Sequence, residues 1–189
     1  MSTAGRLAVL WGLLGTLGIL GESIVRLAGH VLAAVETGLS ARQWALLLGW
    51  ALVLMVVEGY RGFQRSFSPR VVARAWHLGR HPGLLTGLLA PLYCMGLVHA
   101  SRRRLVGSWL VLASIVGLVL IIRTLEQPAR GIVDAGVVAG LAWGLVATVI
   151  FTARALRGEV PAVSLELPDE SRQVARLREE RVDGPDRLR

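Results

Sequence analysis

Three sets of ionisable residues are spaced so that they could do chemistry. Glu22, Arg26 and His30 recur at four-residue intervals. On a helix that interval lines them up on one stripe, and ionisable groups inside a membrane often serve ion or proton transfer. The same spacing equally suits plain i,i+4 pairing on a solvent-facing stripe. Glu58 precedes Arg61 by three residues at the end of an apolar run. It either neutralises Arg61 at an interface or is a buried carboxylate that meets a substrate headgroup. Asp134 stands at the head of another apolar run, with Arg123 and Arg130 close enough in sequence to pair with it. A carboxylate in the first turn of a helix is also favoured by the helix dipole, so a structural reading stands beside a functional one.

Two further patterns carry less chemistry. His77 and His81 have the i,i+4 spacing of metal ligands, with His99 nearby. The chain has only four His, however, and the carboxylate nearest to His77 is Glu58, nineteen residues away. We expect no metal and no cofactor. Cys94 is the only cysteine, which excludes an intrachain disulfide. No Ser/His/Asp set, phosphate loop or zinc motif is present.

The segment from Glu58 to Trp76 looks most like a recognition surface. Tyr60, Phe63 and Phe67 alternate there with Arg61, Arg65, Arg70 and Arg74. Such a face suits anionic lipid headgroups or a partner protein. Its plainer reading is a basic anchor on the cytoplasmic side of a span.

Arg80-His81-Pro82 then leads into an apolar segment. These three residues resemble the RHP element of membrane methyltransferases of the isoprenylcysteine carboxyl methyltransferase type. The resemblance implies an intramembrane lipid-modifying enzyme, with a following aromatic residue and a later paired-Glu and Tyr motif for methyl donor and substrate. Here Gly83-Leu84-Leu85 follows, and Glu179-Glu180 falls in the polar tail.

The elements that must position these residues are apolar helices. Leu105–Ile122 and Ala135–Phe151 are runs of eighteen and seventeen residues without a charge. A domain of 189 residues has no core wide enough to cover two such helices on every face, whereas about 20 apolar residues cross the roughly 30 Å hydrocarbon layer of a bilayer. The composition agrees: 53% hydrophobic, 18% charged, mean hydropathy +0.56. The net charge is +8, and all 21 basic residues are Arg. They flank apolar runs, which fits membrane anchoring and anionic headgroups and argues against nucleic acid. Arg in place of Lys throughout is associated with GC-rich genomes and so with a bacterial source.

The expected fold class is an all-α integral membrane protein with four transmembrane helices. Residues 1–157 form the polytopic domain, with spans at about 5–21, 41–58, 105–122 and 131–152. The first span resembles a signal peptide after Arg6, but Gly21-Glu22-Ser23 follows where a small-residue cleavage site would stand, so a retained span is expected. An amphipathic continuation over 22–36 follows it, at the membrane surface or packed in the bundle. Ser40 with Gln43 reads as a capping box opening the second span, and Trp44 as an interface anchor. Glu58 and Gly59 close that span. Residues 68–81 read as a basic interfacial helix, apolar side down. Pro128 opens the last helix, where Gly136, Gly140 and Gly144 form a small-residue packing seam, within the chain or between copies. Residues 158–189 read as a charged, flexible cytoplasmic tail, with a short helix over 169–181.

The segment 83–98, interrupted by Pro91, is either a short fifth span or a re-entrant piece. Arginine decides between them. As a full span it leaves seven arginines inside and eight outside, tail excluded; as a re-entrant piece it leaves eleven inside and four outside. The positive-inside rule favours the second arrangement, with both termini cytoplasmic. The function expected on these grounds is that of a bacterial inner-membrane protein without enzymatic activity, acting by assembly or by binding. Its partners would be anionic lipids, a second copy or another membrane protein. A small transporter or channel subunit is the alternative.

Overall fold

The computed structural model describes residues 1–167, and their ordered elements are all helical. α1 spans Thr3–Glu36, α2 Ala41–Leu54 and α3 Ser68–Arg80; a π-helical segment, Met55–Phe67, joins α2 to α3. Two short helices follow, α4 (Leu84–Leu88) and α5 (Ala90–Met95), then α6 (Arg102–Ile122) and α7 (Ala129–Leu156). Four helical runs are long and apolar enough to cross a membrane: Thr3–Glu36, Ala41–Arg80, Arg102–Ile122 and Ala129–Leu156.

The first hairpin is set by its caps. Ser2 Oγ accepts from Gly5 N to start α1, and nothing breaks the helix at Glu22, so the expected span and its amphipathic continuation are one rod. Gly38 turns the chain in left-handed conformation at φ 78°. Ser40 and Gln43 then form the capping box of α2.

The second span was expected to close at Glu58 and Gly59, but the helix itself does not end there. The helix continues to Arg80 because its hydrogen bonding widens to i→i+5 over Met55–Phe67. The wider turn keeps Leu54, Gly59, Phe63 and Ser68 on one side, at intervals of five, four and five. All four meet α7, at Gly136, Trp143, Gly144 and Thr148 in turn. An ordinary α-helical period would carry this line of contacts off α7 within two turns. The positions rise together, so the 41–80 rod runs parallel to α7. α1 runs antiparallel to both: His30 lies at Asp134, and Gly5 lies at Gly79.

The main core is at the α3 end. Ala8, Val9 and Leu13 of α1 meet Val71, Val72, Ala75 and Leu78 of α3, with Ala90, Tyr93 and Cys94 of α5 and Ala155 of α7. Residues 68–81, expected as an interfacial helix with its apolar side down, turn that side to protein. Their apolar side is covered by α1 and α5, and Arg74 on the expected basic side is only 2% exposed. The closeness of α1 and α3 depends on Gly5 and Gly79, since a Cβ on Gly5 would overlap the Gly79 carbonyl.

Residues 83–98 contain no helix long enough to cross a membrane. α4 and α5 have five and six residues, and left-handed Gly96 ends α5. The segment leaves the end of α3 at His81 and returns to its middle, where Arg74 binds Tyr93, Val98 and His99 carbonyls. The start of the expected flexible tail also packs on the body: Val160 and Leu167 lie on the core cluster. The helix expected over 169–181 lies outside the described residues.

Candidate functional site

The polar residues singled out from the sequence gather at three places. At the loop end of the bundle, His30 leaves the stripe it was expected to share. Glu22 and Arg26 pair with each other on the surface at 2.6 Å. His30 instead turns to α7, where Nδ1 lies 2.8 Å from Asp134 Oδ2. Arg130 Nη2 approaches His30 Nε2 at 2.9 Å. A guanidinium can only donate, so Nε2 is the accepting nitrogen and Nδ1 carries the hydrogen given to Asp134. Asp134 is 2% exposed, and Arg130 Nε stands 3.9 Å from the same carboxylate oxygen. Arg123 takes no part in this pairing. Gln127 closes the cluster by donating to His30 O at 3.1 Å and accepting from Gly131 N at 3.3 Å. This is an acid–imidazole–guanidinium chain, its carboxylate buried and its imidazole and guanidinium partly exposed, that ties α1 to the start of α7.

Midway along, the glycine seam of α7 faces the 41–80 rod. Gly136 lies under Trp50 and Leu54, Gly140 under Glu58, and Gly144 under the Phe63 ring. Trp50, on the same helix as the expected anchor Trp44, donates its indole N–H to Val133 O at 3.2 Å, and Trp143 donates to Gln64 Oε1 at 2.7 Å. Ser68 and Thr148 hydroxyls lie 2.9 Å apart, both at the Gly144 carbonyl. Small residues let the backbones approach, and hydroxyls then bind across the gap. Glu58 and Arg61 form no ion pair. The carboxylate of Glu58 stands beside Gly140, and Arg61 points outward with Tyr60 and Arg65, all three exposed. The Arg65 guanidinium sits over the Tyr60 ring at 5.7 Å from its centroid.

At the α3 end, Arg70 and Arg74 leave the recognition face assigned to them. Arg74 Nε donates to Tyr93 O at 2.7 Å and Nη1 to Leu165 O at 2.6 Å, while Nη2 reaches Val98 O and His99 O at 3.1 and 3.0 Å. Its guanidinium also lies 4.5 Å from the Tyr93 ring centroid. Arg70 donates to Ser66 O and to Glu166. The physical reasons differ. Carbonyls freed by the irregular backbone of 93–99 and 165 need donors, and Arg74 supplies them. Arg70 is drawn instead to the Glu166 carboxylate and to Ser66 one turn before it.

The His77 and His81 rings lie tilted against each other at 4.7 Å between centroids, and His77 Nδ1 lies 3.0 Å from the Tyr93 hydroxyl. Among the described residues no group of three His, Cys, Asp or Glu is placed to hold a metal ion. His81 of the Arg80-His81-Pro82 element is exposed at the α3 C-cap, and Glu179-Glu180 lie outside the described residues.

Sequence reasoning missed Tyr93, Arg104 and Glu166. Their partners lie far away in the chain, and only Arg104, one of three consecutive arginines, carried a local signal. No family model, curated protein or solved structure matches the chain.

Proposed function

We propose that the chain is a multi-pass inner-membrane protein of a bacterium, with both termini cytoplasmic and 83–98 re-entrant. It acts by binding anionic headgroups and membrane partners through the outer face of its π-helical segment. The observation that carries this reading is the exposed trio Tyr60, Arg61 and Arg65. Its two guanidiniums are paired with no carboxylate among the described residues. A π-helical stretch of thirteen residues also supports it, because such turns occur disproportionately at functional sites.

The test is photocrosslinking from position 61 in native membranes, with identification of the crosslinked species. Arg61→Ala with Arg65→Ala should abolish the partner bands at unchanged protein level. Loss of function in Glu58→Gln or Asp134→Asn at normal levels, with the double arginine variant active, sinks the proposal. Topology is tested separately in a Cys94→Ser background. Single cysteines placed before 83 and after 98 should react with an impermeant maleimide from the same side.

One observation favours a small transporter as the second reading. Glu58 has no ion-pair partner among the described residues and stands over the seam at Gly140. That reading requires flux in liposomes that Glu58→Gln removes.

A further inference from the structure

Where α3, the α5–α6 connection and the start of α6 meet, arginines converge on one carboxylate. Arg70 Nη1 donates to Glu166 Oε2 at 3.1 Å, and Arg104 Nε lies 3.3 Å from the same oxygen. Arg74 stands behind them with its guanidinium given to four backbone carbonyls, so its charge meets dipoles and no carboxylate directly. Arg102 and Arg103 are exposed just outside. Among the described residues Glu166 is the one acid paired here. The cluster is short of negative charge.

It is also short of an acceptor. Ser108 Oγ is buried without a hydrogen-bond partner. Gly96 leaves the space in which Ser108 and Arg104 come together: a Cβ on Gly96 would stand 3.2 Å from Arg104 Nε and 3.7 Å from Ser108 Oγ. Glu166 itself reaches the cluster in a left-handed backbone conformation, φ 52°, which a residue with a Cβ disfavours. It belongs to an extended stretch held by Ser101 N donating to Glu166 O at 2.7 Å and by Arg74 donating to Leu165 O.

We propose that the niche formed by Arg70, Arg104 and Ser108 is a binding site for a phosphate group, and that Glu166 fills it as a displaceable plug. A carboxylate brings one charge, and here one of its oxygens serves both guanidiniums. A phosphate group carries at least that one charge, about −1.5 to −2 at pH 7 when free or a monoester, and sets more oxygens in a tetrahedral array, so each arginine can have its own oxygen and the Ser108 hydroxyl gains an acceptor. Guanidinium is the side chain best matched to such a group. These residues lie outside the Tyr60–Arg61–Arg65 face, so either proposal can fail without the other. Two sources offer the same chemistry, the headgroup of an acidic phospholipid and free phosphate.

The test uses the full chain in nanodiscs of phosphatidylglycerol, of phosphatidylcholine, and of phosphatidylcholine with added inorganic phosphate. A broad-specificity protease reads release of the plug as cleavage within residues 159–167. Loss of the charge-assisted Arg70 hydrogen bond and the Arg104 ion pair should speed that cleavage about tenfold when the phosphate group displaces Glu166. Acceleration with phosphatidylglycerol only assigns the site to the lipid headgroup, and equal acceleration with inorganic phosphate assigns it to phosphate itself. Equal cleavage in all three preparations overturns the proposal, and this needs no variant to fold. Glu166→Gln should also raise retention of phosphatidylglycerol through detergent exchange by about tenfold, and Arg104→Gln added to it should remove the gain. Unchanged retention in folded Glu166→Gln overturns the proposal as well.

Discussion

α6 and α7 are consecutive, comparably apolar and joined by a short connection, yet their surroundings differ. A third of the apolar window of α7 is buried, against 6% for α6. The residues α7 buries are mostly small: Gly131, Ala135, Gly136, Gly140, Gly144 and Ala147, with Thr148. α6 buries only Ile122. Its two interior glycines, Gly107 and Gly117, face nothing. Near its start it is held by Trp109 Nε1 donating to Leu97 O at 3.3 Å and by the Arg104–Glu166 pair. Hydropathy therefore does not decide which helix joins the body. Lipid is as apolar as leucine, so a leucine-rich surface gains little by leaving it; close backbone approach and hydrogen bonds do the sorting.

This contrast between a packed body and a nearly free arm can be broken by mutation, with Cys94 as reporter. Cys94 is the only cysteine and is 1% exposed, so its reaction with a maleimide reads opening of the core. Arg74→Ala should have the largest effect, roughly 3–5 kcal/mol, because it leaves the buried Tyr93 carbonyl and three part-buried carbonyls without their donor and empties the space of a buried side chain. A thiol that stays protected in that variant would show that the body does not depend on the arginine. His30→Ala should cost about 2–3 kcal/mol by stranding the buried Asp134 carboxylate, read as a lower unfolding midpoint in detergent. Gly144→Leu drives a side chain into Phe63 and should cost about 1–3 kcal/mol by the same measurement. Gly117→Leu on α6 should shift the midpoint by no more than about 0.5 kcal/mol, as for an open surface. A loss as large as that of Gly144→Leu would mean that α6 is packed after all.

The four long helices, the Ser40–Gln43 cap and the start of the last helix beside Pro128 were legible because each signal is local. The course of residues 55–80 was not. Glu58 and Gly59 look like a stop only if the helix keeps an α period, and the wider turn removes that stop. Arg74 reads as a surface charge because its acceptors lie 19 to 91 residues further along the chain. The spacing of Glu22, Arg26 and His30 gave the stripe, yet the partner of His30 lies on a helix 104 residues away. At the α3 end the basic composition was legible. The clasp made there by Leu165 and Glu166 was not, since nothing in a short acidic stretch says which arginines it will meet.

The length of the Ala41–Arg80 rod has one more consequence. Its 40 residues extend roughly 55–60 Å, nearly twice the hydrocarbon thickness of a bilayer. α6, with 21 residues, is about 30 Å long, and its first turn lies level with Arg70 through the shared Glu166. If α6 marks the hydrocarbon layer, residues 71–80 overhang it, together with the start of α1 that lies at Gly79. The cluster around Val71, Val72 and Leu78 then faces water, where exclusion of apolar surface drives its closure. On the same placement the glycine seam of α7 would lie in lipid, where that force is absent. One molecule would then be held together by two solvents: urea should loosen the overhang first, and a change of detergent the seam.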